Sequence, residues 1–282
     1  MDGILLIDKE KDWTSHDVCQ KIKHLLKVDK VGHSGTLDPF ATGLLIVAIN
    51  KATKALLYAN FSYKTYIAEL ALGSKTSTGD VTGEVIENKD VPNLNKEQIK
   101  EVLSSFVGHS SQLVPMTSAV HVNGMKLYKY AQQGLDVERP SREIDIKYIK
   151  LLSFDKNIIK FQCLVSSGTY IRVLGEDIAE KLNTVGHLVS LKRIAFGENE
   201  SLKLEDAIKI EDVNIDQIKS IINFIDLPHY EIDEEMAKRI ICGQTVPLQT
   251  KENKVLIVYN NDAIAVYQRD HGDYFKCERG LW

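Results

Sequence analysis

Cysteine is scarce: Cys19, Cys163, Cys242 and Cys277 are the four in 282 residues, and no two form a Cys-x-x-Cys pair. That spacing excludes a disulfide framework or a thiolate zinc site as the organising device and points to reduced thiols in a cytoplasmic protein. Long apolar runs are missing too; none approaches the roughly 18 residues of a membrane helix. The apolar opening at residues 3–7 is ended at once by Asp8, Lys9, Glu10 and Lys11, so no secretory leader is expected. There is no internal repeat and no low-complexity tract. Positive charge is in short supply, with a net charge of −4, which taken alone argues against a nucleic-acid partner. The deficit is uneven, however. Residues 1–197 carry 25 Lys and Arg against 22 Asp and Glu, whereas residues 198–282 carry 10 against 17. The longer part can therefore offer phosphate-facing patches while the tail is acidic. The length allows one large domain, or one large and one small.

What is present is concentrated in one stretch, Gly32-His33-Ser34-Gly35-Thr36-Leu37-Asp38-Pro39-Phe40-Ala41-Thr42-Gly43-Leu44-Leu45. Its first half is a loop of turn formers. Its second half enters the continuous apolar run 44–49, which predicts a buried strand. Pro39 biases Asp38 toward extended backbone. Gly32, Gly35 and Gly43 permit unusual backbone angles or close approach by another chain. The loop is built to hold Asp38 and His33 at the edge of a packed sheet.

Elsewhere, residues 3–7 predict an opening strand, and Thr14 caps a helix whose apolar face is Val18, Ile22, Leu25 and Leu26. Residues 51–59 have helical character. Residues 63–73 alternate as a half-buried strand with Lys64, Tyr66 and Ala68 on one face. Residues 73–83 form a polar, Gly-rich loop that reads as a flexible turn. Residues 95–107 predict an amphipathic helix, 126–133 a short helix, and 161–165 a strand leading through Ser166-Ser167-Gly168-Thr169-Tyr170-Ile171-Arg172 into another helix. Arg139 and Arg142 are phosphate contacts or solvated charges. Residues 198–223 read as acidic and helical, and 255–259 and 263–268 as strands.

These segments together resemble the TruB family of bacterial tRNA pseudouridine-55 synthases. The fourteen residues from Gly32 match its active-site motif, Lys64-Thr65-Tyr66 its second, and Gly168-Thr169-Tyr170-Ile171-Arg172 its third; Gly186-His187 through Leu191 and Arg193 matches the block that follows. The chain departs from the family pattern at Glu10 and Asp12 (Pro and Gly), Ser77 (Asp), Val114 (Pro) and Thr117 (an aromatic residue). The likeness covers residues 3–197 well and the tail loosely.

The resemblance implies an α+β pseudouridine synthase fold with a mixed, mainly antiparallel central sheet in residues 1–223. It further implies a small C-terminal β domain of PUA type in residues 224–282, touching RNA through few side chains such as Lys238 and Arg239. It implies isomerisation of uridine 55 in the tRNA T loop after base flipping, with no metal and no cofactor. On this resemblance Asp38 is expected to be the catalytic carboxylate, Arg172 its ion-pair partner, and Tyr66 the platform for the base. Tyr170 and Leu191 are expected to line the pocket, and His33 to fill the gap in the T loop or meet its phosphates. The partner is a tRNA T stem-loop; a monomer with no membrane and no required protein partner is expected. The alternative is an RNA-binding or tRNA-folding module with little or no activity, which would not need a buried, paired aspartate.

Overall fold

The structure, a computed structural model, describes residues 2–59 and 61–282. The chain opens with strand β1 (Gly3–Lys9), helix α1 (Ser15–Leu26), β2 (Val31–Ser34) and β3 (Thr42–Ile49). After the short α2 (Ala52–Ala55) come β4 (Tyr63–Leu72), the small pair β5 (Ser74–Thr76) and β6 (Val85–Asn88), α3 (Lys96–Ser104) and β7 (Gly108–Leu113). Then follow β8 (His121–Val122), β9 (Met125–Lys126), α4 (Leu127–Gln132), the long β10 (Ser141–Asp155), β11 (Ile158–Ser166), α5 (Ile171–Lys181), β12 (Gly186–Phe196) and β13 (Leu202–Lys203). The tail holds β14 (His229–Glu231), α6 (Glu234–Ile241), β15 (Val246–Pro247), β16 (Lys254–Tyr259), β17 (Asp262–His271) and β18 (Tyr274–Gly280). Among the described residues no helix is long and apolar enough to cross a membrane.

Among the described residues the main sheet has nine strands, ordered β1-β3-β12-β4-β11-β10-β7, with β2 on β3 and β13 on β12. Its pairings are antiparallel except that of β3 with β12, where Thr42 faces Lys192 and Gly43 faces Arg193. This is the mixed, mainly antiparallel sheet that the resemblance implied. The unbroken apolar run of β3 follows from its position. Leu45, Val47 and Ile49 pack with Leu5 and Ile7 of β1 against Val18 and Ile22 of α1. The alternate residues Leu44, Ile46 and Ala48 join a cluster with Leu256, Val258 and Val266 of the tail. A strand covered on both faces needs no polar alternation. A third cluster, including Ala68, Leu70, Leu174, Ile178 and Leu188, lies under α3 and α5.

The tail forms its own five-stranded sheet, β14-β16-β17-β18-β15, with a separate cluster around Ile240, Tyr267 and Phe275. Residues 202–224 contain four short 3₁₀ turns where an acidic helical stretch was expected. The reason is that their backbone is spent on β1. Asp8 N–H donates to Ile208 O, Ile208 N–H to Leu6 O, and Ile4 and Lys219 exchange a pair of bonds. Ile208, Ile210 and Ile218 thereby cover the α1 face, while Leu204, Ala207 and Ile221 cover the other. Apolar side chains that must serve two faces of a sheet do not recur at a helical period.

Candidate active site

Asp38 sits in the turn between β2 and β3, and its neighbours on both sides are clamped. The Ser15 hydroxyl accepts from Leu37 N–H (2.9 Å) and donates to Leu37 O (3.2 Å). Pro39 O accepts from Asp12 N–H (2.8 Å) and from the Lys9 ammonium (3.4 Å). Lys9 is 1% exposed and also donates to Trp13 O (2.7 Å); burial pushes its amine down to about 8. Asp12 takes a left-handed backbone (φ 68°) where the family pattern has Gly, and short polar residues tolerate that region. The departures at Glu10 and Asp12 therefore leave the loop's contacts with Asp38's turn in place.

Gly43 (φ 100°) explains how β12 comes close. A Cβ there would lie 2.2 Å from Arg193 O, so only glycine allows the parallel contact. Gly35 (φ 79°) needs its freedom as well, whereas Gly32 has ordinary angles, and a Cβ there would make only ordinary contact with Thr53 at 3.5 Å, so it does not.

The Asp38 carboxylate faces a cavity of about 580 Å³, within the roughly 300–1,000 Å³ of small-ligand pockets. Arg172, in the first turn of α5, meets it: Nε lies 2.9 Å from Asp38 Oδ2. The remaining guanidinium donors are held from behind. Nη1 donates to Thr78 O (2.7 Å) and Thr117 Oγ1 (2.6 Å), and lies 3.5 Å from Asp80 Oδ2. The side chain of Arg172 is 6% exposed, that of Asp38 36%. Burial is the largest influence on Asp38 and raises its pKa; Arg172 opposes it, and the Asp80 charge adds to the rise. Thr117, where the family pattern has an aromatic residue, thus contributes a hydroxyl that fixes the arginine.

β4 and β12 build the far wall. Tyr66 is opposite Arg193 on one side and Cys163 on the other, and Ala68 is opposite Leu191. Tyr66 and Leu191 line the cavity and are nearly buried. Burial raises the Tyr66 hydroxyl, which the nearby Arg193 charge counters. Tyr170 closes the rim; its backbone N–H and C=O are both held by the Gln112 amide, at 2.8 and 3.1 Å.

The structure therefore brings Asp38, Arg172, Tyr66, Tyr170 and Leu191 to one cavity. His33 is not on its wall. It lies half-buried in β2 opposite Val47, where burial and then the Arg193 and His16 charges lower its pKa and keep the ring neutral at pH 7. Sequence reasoning missed Asp80. The 73–83 segment is an ordered turn, not a flexible one: Asp80 is 3% exposed, and its Oδ1 accepts from Thr78 Oγ1 and Thr82 N–H, each at 2.9 Å. Three threonines around one aspartate were the available signal. The buried cation Arg193 also received no role; its Nε donates to Leu44 O (2.8 Å) and Nη2 to Gly35 O (3.1 Å). Among the described residues no three His, Cys, Asp or Glu side chains are grouped as metal ligands.

Comparison with known proteins gives the same direction. A family model described as TruB family pseudouridylate synthase (N terminal domain) matches residues 23–171. A protein of Bacillus pumilus called tRNA pseudouridine synthase B is 38% identical over 262 residues, covering 88% of this chain and 84% of that protein. Its namesake in Listeria innocua is 35% identical over 300 residues, covering 99% and 98%, and that of Geobacter sulfurreducens 43% identical over 211 residues, covering 75% and 68%. Among solved structures, a chain of a Cbf5-Nop10-Gar1 complex has a TM-score of 0.73 at 23% identity, covering 99% of this chain and 85% of that one. At that identity the shared feature is the fold.

Proposed function

This chain belongs to the TruB family of pseudouridylate synthases, and we propose that it isomerises uridine 55 in the T loop of tRNA, with Asp38 as the catalytic carboxylate. It is an enzyme of the isomerase class, and tRNA is its substrate. The observation that carries the residue assignment is the Asp38–Arg172 pair at 2.9 Å on the wall of a cavity whose other side is Tyr66 and Leu191.

The reaction breaks the C1′–N1 bond, turns the uracil and forms a C1′–C5 bond; the proton on C5 leaves and N1 ends protonated. A carboxylate beside the ribose is required, either to attack C1′ or to take a sugar proton, and both routes need the ionised form. Arg172 holds that form in a partly dry pocket and fixes its orientation. Tyr66 offers a flat face to the base while it is detached, and stacking of this kind contributes about 1–3 kcal/mol per base. Tyr170 and Leu191 restrict water around the free uracil. A base stacked in a folded loop must be extruded to reach Asp38, and His33, outside the cavity, meets the RNA beside the emptied position. The enzyme works in the cytoplasm as a monomer without a protein partner. Incubation with unmodified tRNA and mapping of pseudouridine tests the reading: a single product at position 55 is expected, and no product, or product elsewhere, would overturn it.

Arg172→Lys is expected to lower kcat by about tenfold or more, the scale of one or two charge-assisted hydrogen bonds. One ammonium cannot reach Asp38, Thr78 O and Thr117 Oγ1 at once, although the charge is kept. Single-turnover rates on a T stem-loop check this; an unchanged rate would show that charge alone suffices.

A further inference from the structure

Three cations other than Arg172 gather at the cavity. Lys64 and Arg142 line the cavity, and Arg193 lies one layer behind. Among the described residues none of the three has a carboxylate within ion-pair distance, in contrast to Arg172 on the same cavity, which meets Asp38 and Asp80. The Lys64 ammonium rests against Gly35, where a Cβ would lie 3.0 Å from Nζ. Nζ lies 5.8 Å from the centroid of the Phe196 ring. The same ring carries the Arg193 guanidinium at 4.6 Å. Arg193 is 0% exposed, and its Nη1 has no hydrogen-bond partner. Arg142, exposed at the rim, folds over Gly168 and is near enough to act on the Lys64 charge.

Arg193 is neighboured by the Tyr66 hydroxyl and by backbone carbonyls but by no carboxylate, so a fully buried guanidinium beside a half-buried lysine favours the approach of an anion. The charge on Lys64 records the strain: burial, then Arg193, then Arg142 push its amine down to about 8, with no carboxylate acting the other way. The Asp38 carboxylate is not among these influences. The Asp38 carboxylate is instead engaged by Arg172 at 2.9 Å.

Resting on the tRNA-isomerase reading, we infer that Lys64 and Arg142, backed by Arg193, form a subsite for a phosphodiester of the RNA strand directly flanking the extruded uridine. The site's chemistry takes a singly charged phosphate oxygen pair. Lys64 supplies a point charge inside the cavity, Arg142 a planar fork at the rim, and Arg193 a fixed positive field that needs no contact. The subsite would hold the backbone on one side of the cavity while Asp38 meets the ribose on the other, so it is a positioning device and not part of the bond changes.

The test uses T stem-loops in which the linkage on the 5′ or the 3′ side of the target uridine is an uncharged methylphosphonate, with the full-length enzyme and its Lys64→Gln and Arg142→Gln variants. One of the two linkages is expected to lower wild-type kcat/KM by about tenfold, the scale of one charge-assisted contact. Lys64→Gln should lose about as much on the normal RNA, lose nothing further on that modified RNA, and show a salt slope shallower by roughly 0.7, the single-strand value for one phosphate contact. Wild type indifferent to both linkages would overturn the proposal, since the modified RNA leaves the protein untouched and no folding defect can mask the result. If that indifference is joined by inhibition by inorganic phosphate, at matched ionic strength, that Lys64→Gln abolishes, the site belongs to a free anion and the assignment to the RNA backbone falls. If wild type forms no pseudouridine at all, the functional reading fails separately, and the same pattern sought in stem-loop Kd then decides the subsite.

Discussion

Asp38→Asn is expected to lower kcat by about a thousandfold or more, as when a covalent nucleophile is removed, while stem-loop affinity stays within about tenfold and the melting temperature does not fall. Asn keeps the volume and loses the charge. Stability should hold because Arg172 retains Thr78 O, Thr117 and Asp80 as partners, so no buried cation is orphaned. The direction of the pKa shift argues further. Burial, aided by the Asp80 charge and opposed by Arg172, holds Asp38 above the ordinary carboxylate value. The folded state therefore binds this proton more tightly than the unfolded state. That contribution is present below the ordinary carboxylate pKa and is lost as pH rises through the folded one. At pH 7 the ionised carboxylate is thus a cost to the fold, which Asn removes, and the difference in melting temperature should shrink as the pH is lowered into the carboxylate range. By the same shift, the acid limb of wild-type kcat/KM should lie above the ordinary carboxylate value. Turnover near wild type would mean that another group is the catalyst; a variant that melts several degrees lower would mean that the Asp38–Arg172 pair stabilises the fold.

The parts of the site that could be read in advance are those whose signal is local. The apolar run 44–49 has one structural meaning, a strand covered on both faces, and β3 is that strand. Alternation along β4 put Lys64 and Tyr66 on one face, and both line the cavity. The caps at Thr14 and Asn95 are each a reciprocal box, with Asp17 and Gln98 at the third helical position. What could not be read depends on partners far along the chain. Asp80 is a polar residue in a Gly-rich turn until Arg172, on a helix that begins 91 positions later, is placed against it. β10 runs from Ser141 to Asp155, yet irregularities between Ile146 and Tyr148 and between Leu151 and Ser153 break its period of two. Helix α6 has a local signal of its own: Asp233 caps it, Glu234 and Glu235 open it, and Lys238 and Arg239 close it. Lys238 pairs with Glu234 at 2.8 Å and Arg239 bonds Gln244 at 3.3 Å, both in exposed positions, where the resemblance implies contact with RNA.

Truncation after Asn223 is expected to leave a protein that does not fold cooperatively. We propose that residues 224–282 are a distinct sheet but not an independent folding unit. The cut removes Phe224, Ile225, Leu256, Val258, Ala263, Val266 and Leu281 from a cluster that also contains Ile4, Leu6, Leu44, Ile46 and Ala48. Each of those remaining side chains is at most 3% exposed in the intact chain. Returning even a few of them to water, at about 2 kcal/mol per large side chain, costs a sum comparable with the roughly 5–15 kcal/mol that stabilises a whole domain. The rim adds polar losses: Lys51 with Asp262 at 2.6 Å, Tyr58 with Glu278 at 3.1 Å, and the Lys54 ammonium with Trp282 O at 2.5 Å. Surface pairs of this kind contribute little each, so the apolar face decides. The exposed face would belong to β3, the strand that Asp38's turn leads into, so loss of the tail should reach the catalytic loop through the core and not through RNA contact. The measurement is thermal unfolding of residues 1–223 followed by circular dichroism, with binding of a hydrophobic dye. A broad, non-cooperative transition with dye bound at 25 °C is expected. A soluble monomer that melts cooperatively and turns over a T stem-loop with unchanged kcat would show that the tail folds apart and serves only as an accessory to binding.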